Sequence, residues 1–126
     1  MQARERAHAI AHAAIARRAE SVLVIEMHDV TPVCDFFVIC SGRSAVHVRA
    51  IADEIGKRMA EEGLNAAHVE GLSDGRWVLL DYLSVVTHVF LPEAREYYGL
   101  ERLWADAPWE EVRDEVTSPA GDGEGE

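Results

Sequence analysis

The stretch FFVICSGRSAVHVRAIADEI, residues 36–55, contains the strand-to-helix transition on which the predicted fold depends. FFVICS (36–41) is an apolar run rich in aromatic and β-branched residues, which is typical of a buried strand. Ser44 is a preferred N-cap residue, and apolar residues recur at helical spacing after it. Gly42 lies between the two elements, where a helix N-terminus can bind a phosphate. The stretch therefore raises the question of whether the chain acts on nucleotides.

The Gly42 turn lacks the residues that phosphoryl transfer requires. Neither GxxxxGK[ST] nor GxGxxG is present, since Gly42 stands alone and Lys57 is the one lysine of the chain. Nucleotidyl transfer also needs two or three carboxylates on a neighbouring strand to hold its metal, and Asp81 is a single candidate. We therefore expect a protein that is not an enzyme, with no metal and no cofactor. A divergent nucleotidyl- or phosphoryl-transfer enzyme that uses the Gly42 turn stays as the alternative.

The remaining chain reads as alternating helices and short strands. The hydrophobic pattern predicts an amphipathic helix at the start, four further strands, the last two of them forming a hairpin, and a short helix after Pro92 that breaks at Gly99. We expect a small mixed five-stranded sheet packed by helices, an α/β fold. The predicted segments are a helix over 3–18, strands over 22–27, 36–41, 66–69, 76–81 and 85–90, and helices after Ser44 and Pro92.

The chain is strongly acidic. Its formal net charge is −11, and residues 101–126 hold nine acidic residues against Arg102 and Arg113. Nucleic-acid binding requires clustered basic residues, so we expect no direct nucleic-acid partner but attraction to a basic protein. No apolar run is long enough for a membrane helix and no signal-peptide core is present, which predicts a cytoplasmic protein. Cys34 and Cys40 are expected to be buried free thiols.

The sequence divides into a domain over residues 1–107 and an acidic segment over residues 108–126. The end of this segment, TSPAGDGEGE, offers almost nothing that a core could bury. We expect residues 108–126 to form a largely disordered acidic tail, of which residues 117–126 are dispensable for folding.

Aromatic residues near acidic ones indicate a surface for a protein partner. Strand alternation places Trp77 and Asp81 on one face and Tyr82 on the other. A second aromatic cluster follows at residues 97–104, with acidic residues around it. Aromatic anchors with a polar rim are typical of protein interfaces, although the same side chains could simply close the open side of the sheet. The predicted partner-binding residues are Trp77, Asp81, Tyr82, Tyr98, Leu100 and Glu101.

Four segments of the chain, in this order, resemble the ribosomal silencing factor family, also called RsfS or Iojap-like. They are DFFVICSGRSAVHVRAIADEI, HVEGLSDGRWVLLDY, VVTHVF and AREYYGLERLW, and the resemblance spans about residues 3 to 107. It implies a nucleotidyltransferase-like α/β fold without the catalytic carboxylates. It also implies binding to ribosomal protein fourteen of the large ribosomal subunit, which blocks subunit joining and represses translation when nutrients are scarce. A role as a large-subunit assembly adaptor and a homodimer in the free state are further implications.

The sequence departs from the family pattern before the last predicted strand. The family reads Asp-x-Gly-Asp where this chain has Asp81-Tyr82-Leu83-Ser84. Glycine tolerates a positive φ in a tight hairpin and leucine does not, so we expect a wider or differently shaped turn here.

Overall fold

A computed structural model describes residues 1–114 and contains four helices and six strands in that range. The helices are α1 (Ala3–Ala16), α2 (Ala45–Glu61), α3 (Pro92–Tyr98) and α4 (Leu100–Leu103). The strands are β1 (Glu20–Glu26), β2 (Phe36–Ser41), β3 (His68–Glu70), β4 (Trp77–Asp81), β5 (Val85–Phe90) and β6 (Trp109–Val112).

The strands form one mixed sheet in the order β3-β4-β5-β2-β1-β6. The central pair β2 and β5 is parallel, and every other neighbouring pair is antiparallel. The β4–β5 hairpin confirms the prediction. The predicted strand count of five was wrong, because β6 pairs with the outer edge of β1. Four residues of the segment predicted to be a disordered tail therefore belong to the sheet, and the TSPAGDGEGE end lies outside the described residues.

Helices α1 and α2 cover one face of the sheet, called here the first face. Ser44 caps α2 as predicted, since its Oγ accepts the backbone N–H of His47 at 3.1 Å. The apolar stripe of α2 packs with small residues of α1 against the strands, where burial of apolar surface stabilises the fold. The stripe consists of the residues that the helical spacing predicts: Val48, Ile51, Ala52, Ile55 and Met59.

The opposite face of the sheet, the second face, is only partly covered. After β5, residues 92–108 cross this face and include α3 and α4. Ala94 and Ala107 are buried against Ile39 and Phe90, while Phe37 and Trp104 close the contact in an edge-to-face arrangement at 5.2 Å between ring centroids. The sheet therefore has one face that α1 and α2 cover and one face on which side chains remain accessible beside the crossing segment.

The turn between β4 and β5 keeps the conformation that glycine would adopt. Leu83 has φ = 70°, in the left-handed region. The backbone N–H of Tyr82 donates to the carbonyl of Val85 at 2.9 Å, so the turn is tight. Of the two expected alternatives, the wider turn was wrong, whereas a turn shaped differently from the family's stays a prediction. Neighbouring hydrogen bonds hold Leu83 in a conformation that a free leucine disfavours.

Candidate partner-binding surface

The structure places five of the six predicted partner-binding residues on or beside the second face. Trp77 and Asp81 extend from β4 on this side, and Tyr98, Leu100 and Glu101 belong to the crossing segment. The sixth residue, Tyr82, lies on the first face with a side chain only 4% exposed. Tyr82 cannot anchor a partner from inside the core. Its assignment to the binding surface was wrong, because α1 and α2 cover the face to which alternation directs it.

Trp77 and Tyr98 form the centre of the candidate surface. The indole of Trp77 stacks on Phe90, with centroids 5.1 Å apart and planes at 27°, and contacts the Tyr98 ring at 4.6 Å. Tyr98 is 44% exposed, and its neighbour Tyr97 is 80% exposed and meets it edge-to-face at 5.2 Å. A half-buried indole beside an exposed phenol presents a large apolar surface at little cost in conformational freedom. We call Trp77, Leu79, Val86 and Tyr98 the aromatic face; Leu79 and Val86 are its half-buried aliphatic members.

Asp81 lies at the far end of β4 from Trp77, about 13 Å away at the rise of an extended strand. Its Oδ1 atom accepts the backbone N–H of Leu83 at 2.8 Å. This side-chain-to-backbone bond is the usual way in which aspartate stabilises a turn. Asp81 therefore shapes the β4–β5 turn, and its charge lies at the margin of the aromatic face.

Glu101 and Leu100 have mainly structural contacts. Glu101 Oε1 accepts the Nε–H of Arg95 at 2.6 Å, and Arg95 Nη1 donates to Ser41 Oγ at 2.8 Å. The Arg95 side chain is only 11% exposed, so this network links α3 and α4 to the end of β2. Leu100 packs against the apolar cluster of the second face. The negative charge of Glu101 is thus neutralised within the chain.

The carboxylates that remain free for a partner are carried by other residues. Glu93, Glu96 and Asp106 are exposed and form no ion pair with any residue in 1–114. They belong to the crossing segment and give its outer surface a net negative charge. A basic protein would be attracted to such a surface, with a range limited by salt to about 10 Å at 0.1 M.

A cavity lies on the other side of the crossing segment from Trp77. It has a volume of about 600 Å³, with Leu23 and Ile25 of β1 opposite Trp104 and Trp109. Arg95 and Glu101, which form an ion pair, also line it, whereas Trp77 and Tyr98 do not. The crossing segment therefore divides the second face into an aromatic side and a cavity side.

The Gly42 turn has a packing role in the structure. A Cβ atom at Gly42 would lie 3.0 Å from both the backbone nitrogen and Cγ2 of Val48, so glycine lets β2 and α2 approach closely without a tight contact at this turn. Two of the amides nearby have partners within the chain: Arg43 N–H donates to His47 Nδ1 at 2.9 Å, and His47 N–H donates to Ser44 Oγ at 3.1 Å. Cys40 is fully buried as predicted, and burial raises the pKa of its thiol to about 12. These contacts account for the turn without a nucleotide.

Within residues 1–114, no group of three or more His, Cys, Asp or Glu side chains is arranged to hold a metal ion. No helix of the described chain is both long and apolar enough to span a membrane.

His88 is the residue of this surface that sequence reasoning missed. It lies on β5 diagonally across from Trp77, and its Nδ1 atom accepts the indole N–H at 3.1 Å. The register of the hairpin could have identified it, because His88 and Trp77 occupy neighbouring positions of the same face. A lone histidine in an apolar strand carries no signal of this contact by itself.

Comparisons with known proteins identify the family. The model of the family described as "Ribosomal silencing factor during starvation" matches residues 1–125. The chain is 46% identical over 92 residues to the ribosomal silencing factor RsfS of Bacillus subtilis, covering 73% of this chain and 78% of that protein. It is 34% identical over 89 residues to mouse "Mitochondrial assembly of ribosomal large subunit protein 1", covering 68% of this chain and 39% of the mouse protein.

A solved structure agrees with this assignment. The crystal structure of a Chromobacterium violaceum protein superposes with a TM-score of 0.82 at 28% identity, covering 83% of this chain and 88% of that one. The family model spans nearly the whole sequence, and the relatives share much of its length. The chain therefore belongs to the ribosomal silencing factor family.

Proposed function

We propose that this protein represses translation by binding the large ribosomal subunit through its ribosomal protein fourteen and blocking the joining of the subunits. The family membership supports the ribosomal role, and the observation that carries the site is the contact between half-buried Trp77 and exposed Tyr98 on the partly covered face of the sheet. In this proposal the aromatic face contacts the partner and the bound protein acts as a steric wedge. It acts in the cytoplasm under nutrient limitation, and the free protein forms a homodimer.

The aromatic and the acidic residues of this surface have different roles in binding. Trp77 and Tyr98 supply apolar contact area, and truncating a central interface aromatic commonly costs about 2 kcal/mol or more of binding free energy. Glu93, Glu96 and Asp106 mainly raise the association rate with a basic partner. Tyr82 has no part in the contact because it belongs to the core.

A second candidate function is favoured by one comparison. The mouse relative is named for assembly of the mitochondrial large ribosomal subunit. An assembly adaptor would bind immature large subunits through the same surface. The two functions differ in the particle that is bound, so binding to mature and to precursor large subunits separates them.

The test uses Tyr98→Ala, since Tyr98 is exposed enough for its loss to leave the fold intact. The variant should sediment with purified large subunits at least ~10-fold more weakly than the wild type and should restore subunit joining in proportion. Circular dichroism and thermal unfolding verify that it is folded.

Two control variants complete the experiment. Val46→Ala changes an exposed residue of α2, away from the second face, and Tyr82→Phe keeps the core ring; both should bind like the wild type. Tyr82→Ala should instead lower the free energy of unfolding by ~3 kcal/mol or more, as expected for a buried aromatic. If folded Tyr98→Ala binds and blocks joining as well as the wild type does, the contact lies elsewhere.

A further inference from the structure

His88 is a buried polar residue at the back of the aromatic face. It lies in the middle of β5, is 4% exposed, and is surrounded by the rings of Phe37, Trp77 and Phe90. The Phe37 ring meets it edge-on at a centroid distance of 4.7 Å. Its Nε2 atom is buried and has no hydrogen-bond partner among residues 1–114.

The hydrogen bond between Trp77 and His88 has one possible direction. An indole N–H can only donate, so Nδ1 of His88 accepts it and the neutral imidazole carries its proton on Nε2. Burial lowers the pKa of His88 to about 4, which keeps Nδ1 available as an acceptor at neutral pH. His88 is thus a fixed acceptor for Trp77.

The other ring contacts of Trp77 orient it weakly. Stacking on Phe90 and the tilted contact with Tyr98 are both tolerant of rotation of the indole in its plane. The bond to His88 is the directional contact, because it requires the N–H edge of the indole to face β5. It therefore selects which edge of the ring is buried and which is presented outward.

Stability alone does not explain a histidine at this position. A buried donor without an acceptor, as at Nε2, destabilises a fold, and an apolar side chain of similar size would avoid that cost. What an apolar residue could not do is accept the indole N–H. The contact that His88 alone provides is the one that orients Trp77.

We propose that His88 is a positioning residue for partner binding, which holds the Trp77 indole in the orientation that the partner of the aromatic face recognises. This inference rests on the proposed function. His88 itself does not touch the partner, and it acts through the ring that covers it.

The first measurement follows the indole N–H resonance of Trp77 in the ¹⁵N-labelled protein, assigned by its absence from Trp77→Phe. In the wild type it should exchange slowly with solvent. His88→Leu should move the resonance and speed exchange by at least ~10-fold, because the acceptor is gone. His88→Asn should restore slow exchange, since its Oδ1 lies the same number of bonds from the backbone as Nδ1. His88→Gln, whose oxygen lies one bond further, is the second loss variant.

The second measurement is sedimentation with purified large subunits. His88→Leu and His88→Gln should bind ~10-fold more weakly, and His88→Asn should bind within ~3-fold of the wild type. In a Trp77→Phe background, His88→Leu should cause no further loss, since its effect passes through the indole N–H. Val89→Ala is the matched control: it destabilises the first-face core from the adjacent position and should change neither the resonance nor binding.

The outcomes separate this inference from the proposed function. An unchanged Trp77 resonance in His88→Leu, or undiminished binding by that variant, would overturn the positioning role alone. Equal losses in His88→Asn and His88→Leu would also overturn it, because they indicate a general effect on the core. Failure of the wild type to bind large subunits would overturn the proposed function and this inference together.

Discussion

Leu83 shows how one residue can hold strain that the surrounding turn supports. Its φ of 70° lies in a region that costs a residue with a side chain roughly 1–2 kcal/mol. Asp81 accepts its N–H, and the bond between Tyr82 and Val85 closes the turn around it. The local hydrogen bonds therefore offset a backbone conformation that leucine disfavours.

Replacement of Leu83 by glycine should stabilise the protein. Leu83→Gly removes the clash of Cβ with the backbone, and we expect a gain of ~1 kcal/mol in the free energy of unfolding. Urea denaturation followed by circular dichroism measures it. Leu72→Gly is the matched control, since Leu72 is an exposed leucine of a turn without a positive φ, and it should give no gain. A loss of stability in Leu83→Gly would show that the left-handed conformation of Leu83 does not strain the wild-type protein.

Ser84, at the position where the resemblance implies an acidic residue, has Arg6 as its hydrogen-bond partner. Arg6 Nη1 donates to Ser84 Oγ and to the Tyr82 carbonyl, each at 2.9 Å, while its Nε is buried and has no partner among the described residues. Ser84→Asp should form a charge-assisted pair with this half-buried guanidinium and raise the free energy of unfolding by ~1 kcal/mol near neutral pH.

A double-mutant cycle with Arg6→Met tests that prediction. The gain from Ser84→Asp should vanish without the guanidinium and should also fade in acid as the new carboxylate is protonated. A gain that persists in the Arg6→Met background would show that the stabilisation has another origin.

At the scale of elements, the strand-to-helix stretch could be predicted from sequence and two other features could not. The β2–α2 segment carries a long apolar pattern, a cap and a glycine whose roles agree, so its elements were identified nearly to the residue. Tyr82 was misplaced because alternation divides a strand into two faces without telling which one the helices cover. Strand β6 was missed because Trp-Glu-Glu-Val is short and acidic and becomes a strand only by pairing with β1.

Strand β6 should therefore contribute to stability although it lies in the acidic segment. Truncation after Pro108 removes the pairing with β1 and the cover that Val112 gives the core, so the melting temperature should fall by several degrees. Truncation after Asp114 keeps β6 and is the control, for which we expect a melting temperature like that of the full chain. Equal melting temperatures for the two truncations would show that β6 is dispensable.

At the scale of the whole molecule, His88 couples stability to pH. Its pKa is about 4 in the folded protein against an ordinary 6.5, so the unfolded chain takes up a proton at this site as the pH falls through 6.5 and the folded protein does not. This site leaves the free energy of unfolding unchanged well above pH 6.5. Between about pH 6.5 and about pH 4 it lowers the free energy of unfolding, by about 3 kcal/mol in total when the pH reaches 4.

Comparison of the wild type with His88→Asn isolates this effect from the other titrating groups. Between about pH 7.5 and about pH 5, the wild type should lose ~2 kcal/mol more of its free energy of unfolding than the variant does. Urea titrations at the two pH values provide the comparison. Parallel losses in both proteins would mean that His88 is protonated in the folded state at pH 5.

The place of β6 in the strand order has a consequence for how the chain folds during its own synthesis. Strand β1 is made early, but its outer edge pairs with residues 109–112, which leave the ribosome after every other strand. Until then the nascent chain exposes the unpaired backbone amides and carbonyls of β1, a template on which other chains can aggregate. The parallel β2–β5 pair likewise joins residues about 50 positions apart. Both the β2–β5 and the β1–β6 pairings therefore form only after distant parts of the chain have been made. Folding of this domain is therefore completed after translation of its last strand, and slow elongation near residue 109 would lengthen the time for which that edge stays open.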